Sequence, residues 1–546
     1  MKKTFVVTAA AVLIAVVSAG PSAAQTTNPT PVARPIQQTP PFVTSGTRVD
    51  LSIEEAVARA RDKNIDIAVA RITPRLTDFS IAGLEANYRL NLTTATNASK
   101  VATPATNATQ GVAVGTNRNT NTVAWNAGIA QNLYRGGGNY TLAFNNNRRE
   151  QSSANAFRNP TFNSSFTLNA TQPLLRGFKI DATRAALRTN RISQQNDEIA
   201  LQATTVTTAA NTRNAYWDLV FAIQAVEAAQ NSLDISAKLV QDNQARVEIG
   251  TLAPIDIKSA EAEQANRRLT LVQAQATVRT SELALKRLIV SGTDDPLWNS
   301  SINPVDRPAA TPEPINVDAA VARALKERTD VQQSLNNLRI SDINLQNQVD
   351  QTKPQLNLTL NYGLSGLGGP TTPTVRDPIT GESITLPTVP SGYFDALRNL
   401  AGFDVPQFTV GVNFAYPIGR SAQEATVARS RLALDQTQAN LKALQLQIAT
   451  DVANAALTVQ SSLESVQASA TARELARERL NAMQSKFEVG MSTNYEVVQA
   501  QRDFLDAQNN ELRALLNYRK ALVNFETVQT TGTRGVGAAV GGGGGL

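Results

Sequence analysis

The chain has 546 residues, 51 Lys and Arg against 45 Asp and Glu for a net charge of +6, and neither Cys nor His. Without those two residue types there are no disulfides, no thiolate or imidazole chemistry, and no zinc or haem held by Cys or His. The small basic excess is spread along the sequence and leaves no nucleic-acid footprint; the length suggests more than one domain.

Lys2 and Lys3 precede an apolar stretch from Phe5 to Val17, and Ser22-Ala23-Ala24 offers small residues at a cleavage site. Residues 1–24 read as a secretory signal peptide, because the stretch is too short for a transmembrane anchor. Cleavage removes both lysines and leaves a net charge of +4, and no Cys follows that could carry a lipoprotein anchor. No later segment is long and apolar enough for a membrane helix, so the exported chain can enter a membrane only as β-strands. Residues 25–48, with Pro29, Pro31, Pro35, Pro40 and Pro41, read as an extended tail.

Residues 49–292 form the first half of what remains. Helical patterning starts at Leu51. Tyr88, Leu90 and Leu92 then alternate with Arg89, Asn91 and Thr93, which predicts a strand over about 86–97. The Asn/Thr-rich run from Asn97 to Thr122 reads as an extracellular loop. Alternating segments from Val123 to Leu133 and from Asn139 to Asn147 flank Gly136-Gly137-Gly138 and predict a hairpin over 123–147. It either adds strands to a barrel or stands outside the membrane. A strand over 161–172 puts Phe162, Phe166 and Leu168 on one face and Asn163, Ser165, Thr167 and Asn169 on the other, with Ser164 the one polar interruption of the apolar face. A very long helix over about 183–249, a turn and another helix complete this half.

A Pro-rich linker at 293–314 leads to the second half, 315–530. Strands are predicted over 354–364, where Leu356, Leu358, Leu360 and Tyr362 oppose Gln355, Asn357, Thr359 and Asn361, and over 406–417, where Phe408, Val410, Val412, Phe414 and Tyr416 oppose Gln407, Thr409, Gly411, Asn413 and Ala415. Tyr362 and Tyr416 suit an aromatic girdle at strand ends. The glycines from Gly363 to Gly369 lack the Lys-Ser/Thr of a phosphate loop, so no nucleotide site is assigned. Gly368 to Pro406 reads as a second extracellular loop. A helix over about 422–489 carries Leu441, Leu444, Ile448, Val452, Ala455, Val459, Leu463 and Val466 at a mean step of about 3.6 residues, a seam for lengthwise packing in which the small Ala455 permits close approach. Residues 531–546 read as a flexible Gly-rich tail.

The halves repeat each other. Ala56-Val57-Ala58-Arg59-Ala60 recurs at Ala320-Val321-Ala322-Arg323-Ala324, and Arg246-Val247-Glu248-Ile249-Gly250 is matched by Lys486-Phe487-Glu488-Val489-Gly490. Two matches in the same order point to a duplication. Strands of about ten residues, apolar on one face and Asn/Gln/Thr on the other, have the pattern of an outer-membrane barrel. A soluble sandwich shares that alternation, and the export signal favours the barrel. A few strands cannot close a conducting barrel, and open edges do not persist in lipid. Several chains must therefore contribute to one barrel, and the apolar seams of the long helices are expected to be covered by neighbouring chains.

With the repeat, Gln172-Pro173-Leu174-Leu175-Arg176-Gly177, Tyr416-Pro417-Ile418-Gly419, Ala215-Tyr216-Trp217-Asp218-Leu219 and the turns Ile249 to Ile257 and Val489 to Val497 in view, the chain resembles the TolC-type outer-membrane efflux family over nearly all of the mature sequence. The resemblance implies a mainly α fold with a β-barrel: a homotrimer sharing one outer-membrane barrel, with four strands per chain and twelve in all, set on a long helical barrel in the periplasm. The hairpin at 123–147 departs from that count.

Gly250 and Gly490 each end a long helix where left-handed geometry is needed. The resemblance makes Gly250, Thr251, Leu252, Gly490, Met491 and Ser492 the tips that dock a periplasmic adaptor, which links the channel indirectly to an inner-membrane transporter. Asp256 and Glu496 stand in the first turns of the following helices, where acids suit the helix dipole. By the same resemblance Glu496 lies at the periplasmic constriction, where three symmetry-related carboxylates would raise each other's pKa and favour cations. A second gate aspartate of the family corresponds to Gln499, which leaves the charge of the gate open. The expected function is a passive outer-membrane duct of an efflux or type I secretion system, with no catalytic residues, metal or cofactor and with membrane lipid as a further partner. The sequence does not specify the cargo. A secreted coiled-coil structural protein is the alternative; it accounts for the long helices and not for the strands.

Overall fold

The computed structural model describes residues 47–532, apart from 107–110, 114, 154–155, 308–311, 313, 377–378, 380–382 and 420. The signal peptide expected at 1–24, all but the last two residues of the tail at 25–48, and all but the first two of the tail at 531–546 lie outside the described residues.

Strand β1 (Arg48–Leu51) leads into α1 (Ile53–Lys63), which starts at a capping box: Ser52 and Glu55 satisfy each other's backbone N–H groups. Helices α2 (Ile65–Ala70) and α3 (Thr73–Ala86) follow, then strands β2 (Asn91–Pro104), β3 (Asn117–Asn132), β4 (Asn139–Gln151) and β5 (Thr161–Pro173). Helices α4 (Ala182–Glu248) and α5 (Pro254–Ile289) form the first long pair. Strand β6 (Ser301–Pro304) pairs in parallel with β1. Then come α6 (Val317–Glu327), α7 (Thr329–Gln351), β7 (Gln355–Gly368), the short hairpin β8 (Thr374–Arg376) and β9 (Ser383–Thr385), α8 (Tyr393–Ala401), β10 (Pro406–Ala415), α9 (Ala422–Glu488) and α10 (Asn494–Thr530). Each 67-residue helix, α4 and α9, is about 100 Å long. Among the described residues no helix is long and apolar enough to cross a membrane.

One antiparallel sheet has the order β10-β7-β5-β4-β3-β2. The hairpin at 123–147 is thus part of the sheet as β3 and β4. Register aligns the apolar residues of all six strands: Leu92, Ile129, Leu142, Leu168, Tyr362 and Phe408 lie in one row across it. The opposite face carries mainly Asn, Thr and Gln.

Three expectations about the strands and loops need correction. The first strand does not begin at 86; Ala86 closes α3, Tyr88 and Arg89 sit in a turn bonded back to Glu85 and Ala86, and β2 starts at Asn91. Much of the Asn/Thr-rich run from Asn97 to Thr122 is strand, because the β2–β3 ladder continues from Asn97↔Ala124 to Pro104↔Asn117. Backbone pairing needs no apolar face, so a polar composition does not by itself mark a loop. Strand β7 extends through Gly368, which puts Tyr362 mid-strand, and the segment after it holds α8 as well as loop.

The α9 seam, expected to be covered by neighbouring chains, is packed on by helices of its own chain. Ile448 and Val452 are buried with Ala320, Ala324, Val331 and Val528, while Val459 and Val466 are buried with Tyr518 and Ala521. A further core belts the middle of α4. Tyr216, Leu219 and Phe221 pack there on Leu51, Leu285, Ile289 and Ile302, and the Tyr216 hydroxyl donates to the Leu51 carbonyl at 3.0 Å. Trp217 packs in the same belt and supports the guanidinium of Arg519 at 5.3 Å.

Candidate functional site

The two turns that join the long helices lie together at the end farthest from the sheet. Both are built alike. Ile249 and Val489 are the C-cap residues of α4 and α9, and Gly250 (φ +76°) and Gly490 (φ +78°) take the left-handed position beyond them. Gly250 N–H bonds to Val247 O and Thr251 N–H to Arg246 O; Gly490 N–H bonds to Phe487 O and Met491 N–H to Lys486 O. This is the Schellman arrangement, which satisfies carbonyls the helix leaves open. A Cβ on either glycine would meet nothing, so the backbone angle and not space requires glycine. Pro254 then starts α5, and a capping box of Thr493 and Glu496 starts α10.

Glu496 is therefore occupied in its own turn. Its Oε2 accepts from Thr493 N–H at 2.9 Å and from Ser492 Oγ at 2.7 Å. These bonds, that from the Thr493 backbone first, hold the carboxyl below its ordinary pKa. Gln499 donates to Asp503 Oδ1 at 2.8 Å, and Asp503 is ion-paired with Arg479 of α9 at 2.8 Å. A carboxylate, Asp503, thus stands one turn beyond Gln499 on the same helix.

The turns are laced together by side chains to which the sequence assigned no role. Asn243 and Asn494 are buried and bonded at 3.0 Å, joining α4 to α10. Arg246 lies over the Phe487 ring at 4.5 Å and donates to the Phe487 carbonyl at 3.1 Å. Above them Glu263 of α5, buried, accepts from Arg502 of α10 at 2.5 Å and from Arg267 at 2.5 Å. Burial pushes the Glu263 carboxyl up, but the two guanidiniums outweigh it and hold the group below its ordinary pKa. Leu239, Phe487, Val497 and Val498 form the small core between. Outside it Ile249, Ile255, Val489, Met491 and Tyr495 are exposed, Thr251 is exposed, and Leu252 and Ser492 are half-buried.

Residues 139–290 and 320–528 match the family of outer membrane efflux proteins, which is most of the chain. The chain belongs to that family. Membership assigns it to the outer membrane, among efflux channels rather than enzymes. No curated protein matches its sequence. Its fold is similar to three solved channels. The Campylobacter jejuni outer membrane channel CmeC shares 15% identity over 88% of this chain and 85% of that one, with a TM-score of 0.61. VceC of Vibrio cholerae shares 14% over 88% and 96%, TM-score 0.60. The open state of MtrE from Neisseria gonorrhoeae shares 14% over 88% and 89%, TM-score 0.59. At such identities the likeness establishes the fold.

Proposed function

We propose that three copies of this chain close a single barrel and form a passive duct through the outer membrane and the periplasm. The observation that carries this reading is the six-stranded sheet, apolar on one face, with its two edge strands unpaired among the described residues. Unpaired backbone groups in hydrocarbon cost several kcal/mol each. Strands β2 and β10 run in opposite directions, so β10 of one copy can receive β2 of the next and continue the antiparallel order. Such a head-to-tail contact, repeated by rotation, closes into a ring. Three copies of a six-stranded sheet give eighteen strands, an even number as in other outer-membrane barrels and wider than the twelve implied by resemblance.

The helices support the same assembly. Leu432, Leu446, Leu457 and Leu475 are exposed on the face of α9 opposite its buried seam. Their spacings of 14, 11 and 18 residues are four, three and five turns, so they form one line along the helix. A second copy is the occupant that fits a line running the length of a helix. Polar Asn, Thr and Gln would line the bore. Gly250, Thr251, Leu252, Gly490, Met491 and Ser492, with the exposed apolar residues beside them, would dock the periplasmic adaptor, Glu496 and Gln499 would stand at the constriction, and an inner-membrane transporter would supply both energy and cargo. The two halves, taken as 49–292 and 315–530, would be the products of a duplication.

The chain has no Cys, so paired substitutions are clean probes. Thr94→Cys or Thr96→Cys, combined with Val410→Cys or Val412→Cys, should yield on oxidation a ladder ending at a covalent trimer that leaves the membrane only in detergent. A water-soluble monomer with no inter-chain bond from any pair would sink the proposal.

A further inference from the structure

We infer that α8 lies in the outer leaflet of the membrane, as a strap on the lipid-facing side of the barrel whose exposed phenylalanines enter the acyl chains. The inference rests on the barrel reading above for which face meets lipid. A Cβ on Gly366 would collide with the Ala396 carbonyl oxygen, and one on Gly368 with that of Gly392. The helix backbone therefore rests directly on β7. By register, Gly366 and Gly368 share the face of Leu356, Leu358, Leu360 and Tyr362. The Tyr393 ring meets Trp125 at 5.2 Å and Phe162 at 6.1 Å, both on that face. Helix α8 thus covers the apolar side of the sheet and not the polar one.

Its depth follows from strand length. Ten residues separate Leu356, where the apolar face of β7 begins, from Gly366 under the helix. A tilted strand of about 9–11 residues crosses the hydrocarbon core, so α8 sits one membrane thickness from the end that carries the long helices. It also explains Ser164. Ser164 pairs with Asn146 on one side and Gly366 on the other, and both polar side chains are buried beneath the helix. The Tyr393 hydroxyl donates to Asn146 Oδ1 at 3.1 Å. The helix thus gives the Asn146 side-chain carbonyl oxygen a partner, while Ser164 Oγ and Asn146 Nδ2 stay buried without one among the described residues.

The outer side of the strap is the reverse. Phe394 is 82% exposed and Phe403, just past the helix, 59%, with Val405 beside it. Phe403 has φ +57°, the left-handed position that ends the helix and favours glycine. An exposed aromatic ring stands at that position. Phe408, Val410, Val412 and Phe414, all exposed, continue the patch along β10, and on the barrel reading they face lipid. A helix with one side seated and aromatic residues on the other is suited to the interface plane.

A nitroxide attached at Phe394→Cys or Phe403→Cys in the trimer reconstituted in phospholipid vesicles tests this, with Val410→Cys on the bare sheet as reference. Accessibility to oxygen should exceed accessibility to a water-soluble nickel chelate at all three. If Val410 is oxygen-accessible while 394 and 403 favour the chelate, or are shielded from both reagents, the strap does not face lipid. If Val410 itself favours the chelate, the barrel reading fails first.

Discussion

Glu263 carries more of the tip than its place in the sequence suggests. It is buried, yet both its oxygens accept from guanidiniums, Arg267 on its own helix and Arg502 on α10, so one carboxylate ties the first half of the chain to the second. Its pKa in the folded chain lies below the ordinary carboxylate value. The stability it contributes is therefore complete above that ordinary value, about 4.3, and is lost as pH falls through the lower folded one. In a planar bilayer the conductance of the wild type should stay constant from neutral pH to about 4.3 and rise only below it. Glu263→Gln leaves the guanidiniums short of a charge, a loss of about 1–3 kcal/mol, and should conduct more at neutral pH and respond less to acid. A variant with the wild-type profile would show that the Glu263–Arg502 link does not restrict conductance at the tip. Glu496 has the same sign of pH dependence, since its capping bonds also lower its pKa.

At the scale of elements, the α9 seam separates two kinds of packing. Ala455, buried on the seam, lets neighbouring helices of its own chain approach; Leu457, exposed, lies on the opposite line. Ala455→Leu should overpack the seam by about 1–3 kcal/mol and lower the midpoint of thermal unfolding followed by circular dichroism in detergent. Leu457→Ala should leave helicity unchanged and weaken the trimer on semi-native gels. If both substitutions acted alike, the division between intra-chain and inter-chain faces would be wrong. The seam was legible in the sequence because a step of about 3.6 residues is a local signal, and the glycine turns because a left-handed position restricts the residue type. What covers the seam was only partly legible: α10 folds back on it across the Gly490 turn, but α6 and α7 reach it from beyond the intervening strands. The Glu263–Arg502 link spans 239 positions and leaves no local mark. The outer ends of β2 and β3 were hidden for another reason: Asn117 to Thr122 is polar on both faces, and the few apolar residues from Ala98 to Pro104 fall on both faces, so alternation fades while the backbone ladder continues. The nine-residue α8 lies in a Pro/Gly-rich stretch and is too short for a period to stand out.

The whole molecule turns on which face of the six-stranded sheet meets lipid, and neighbouring positions on one strand can decide it. In β10, Val410 opposite Leu360 lies on the apolar face, and Thr409 opposite Asn361 lies on the polar one. Both are exposed in the chain, so neither substitution below disturbs a packed core. If three sheets form a barrel with the apolar face outward, Val410→Lys puts an ammonium into hydrocarbon. The cost there is about 2–4 kcal/mol near the bilayer midplane, incurred three times over in the trimer, and the heat-stable trimer on semi-native gels should be lost or recovered in much lower yield. Thr409→Lys puts the same charge into the water-filled bore. The trimer should remain, and the reversal potential under a salt gradient should move toward anion selectivity, because three lysines join a ring whose other members on this face, Asn169, Asn361 and their neighbours, are neutral. The two effects cannot be exchanged by a change in folding efficiency alone, since the substitutions are adjacent, equally exposed and identical in charge. A barrel turned inside out, or a sheet packed against another sheet in water, would give the opposite ranking or none.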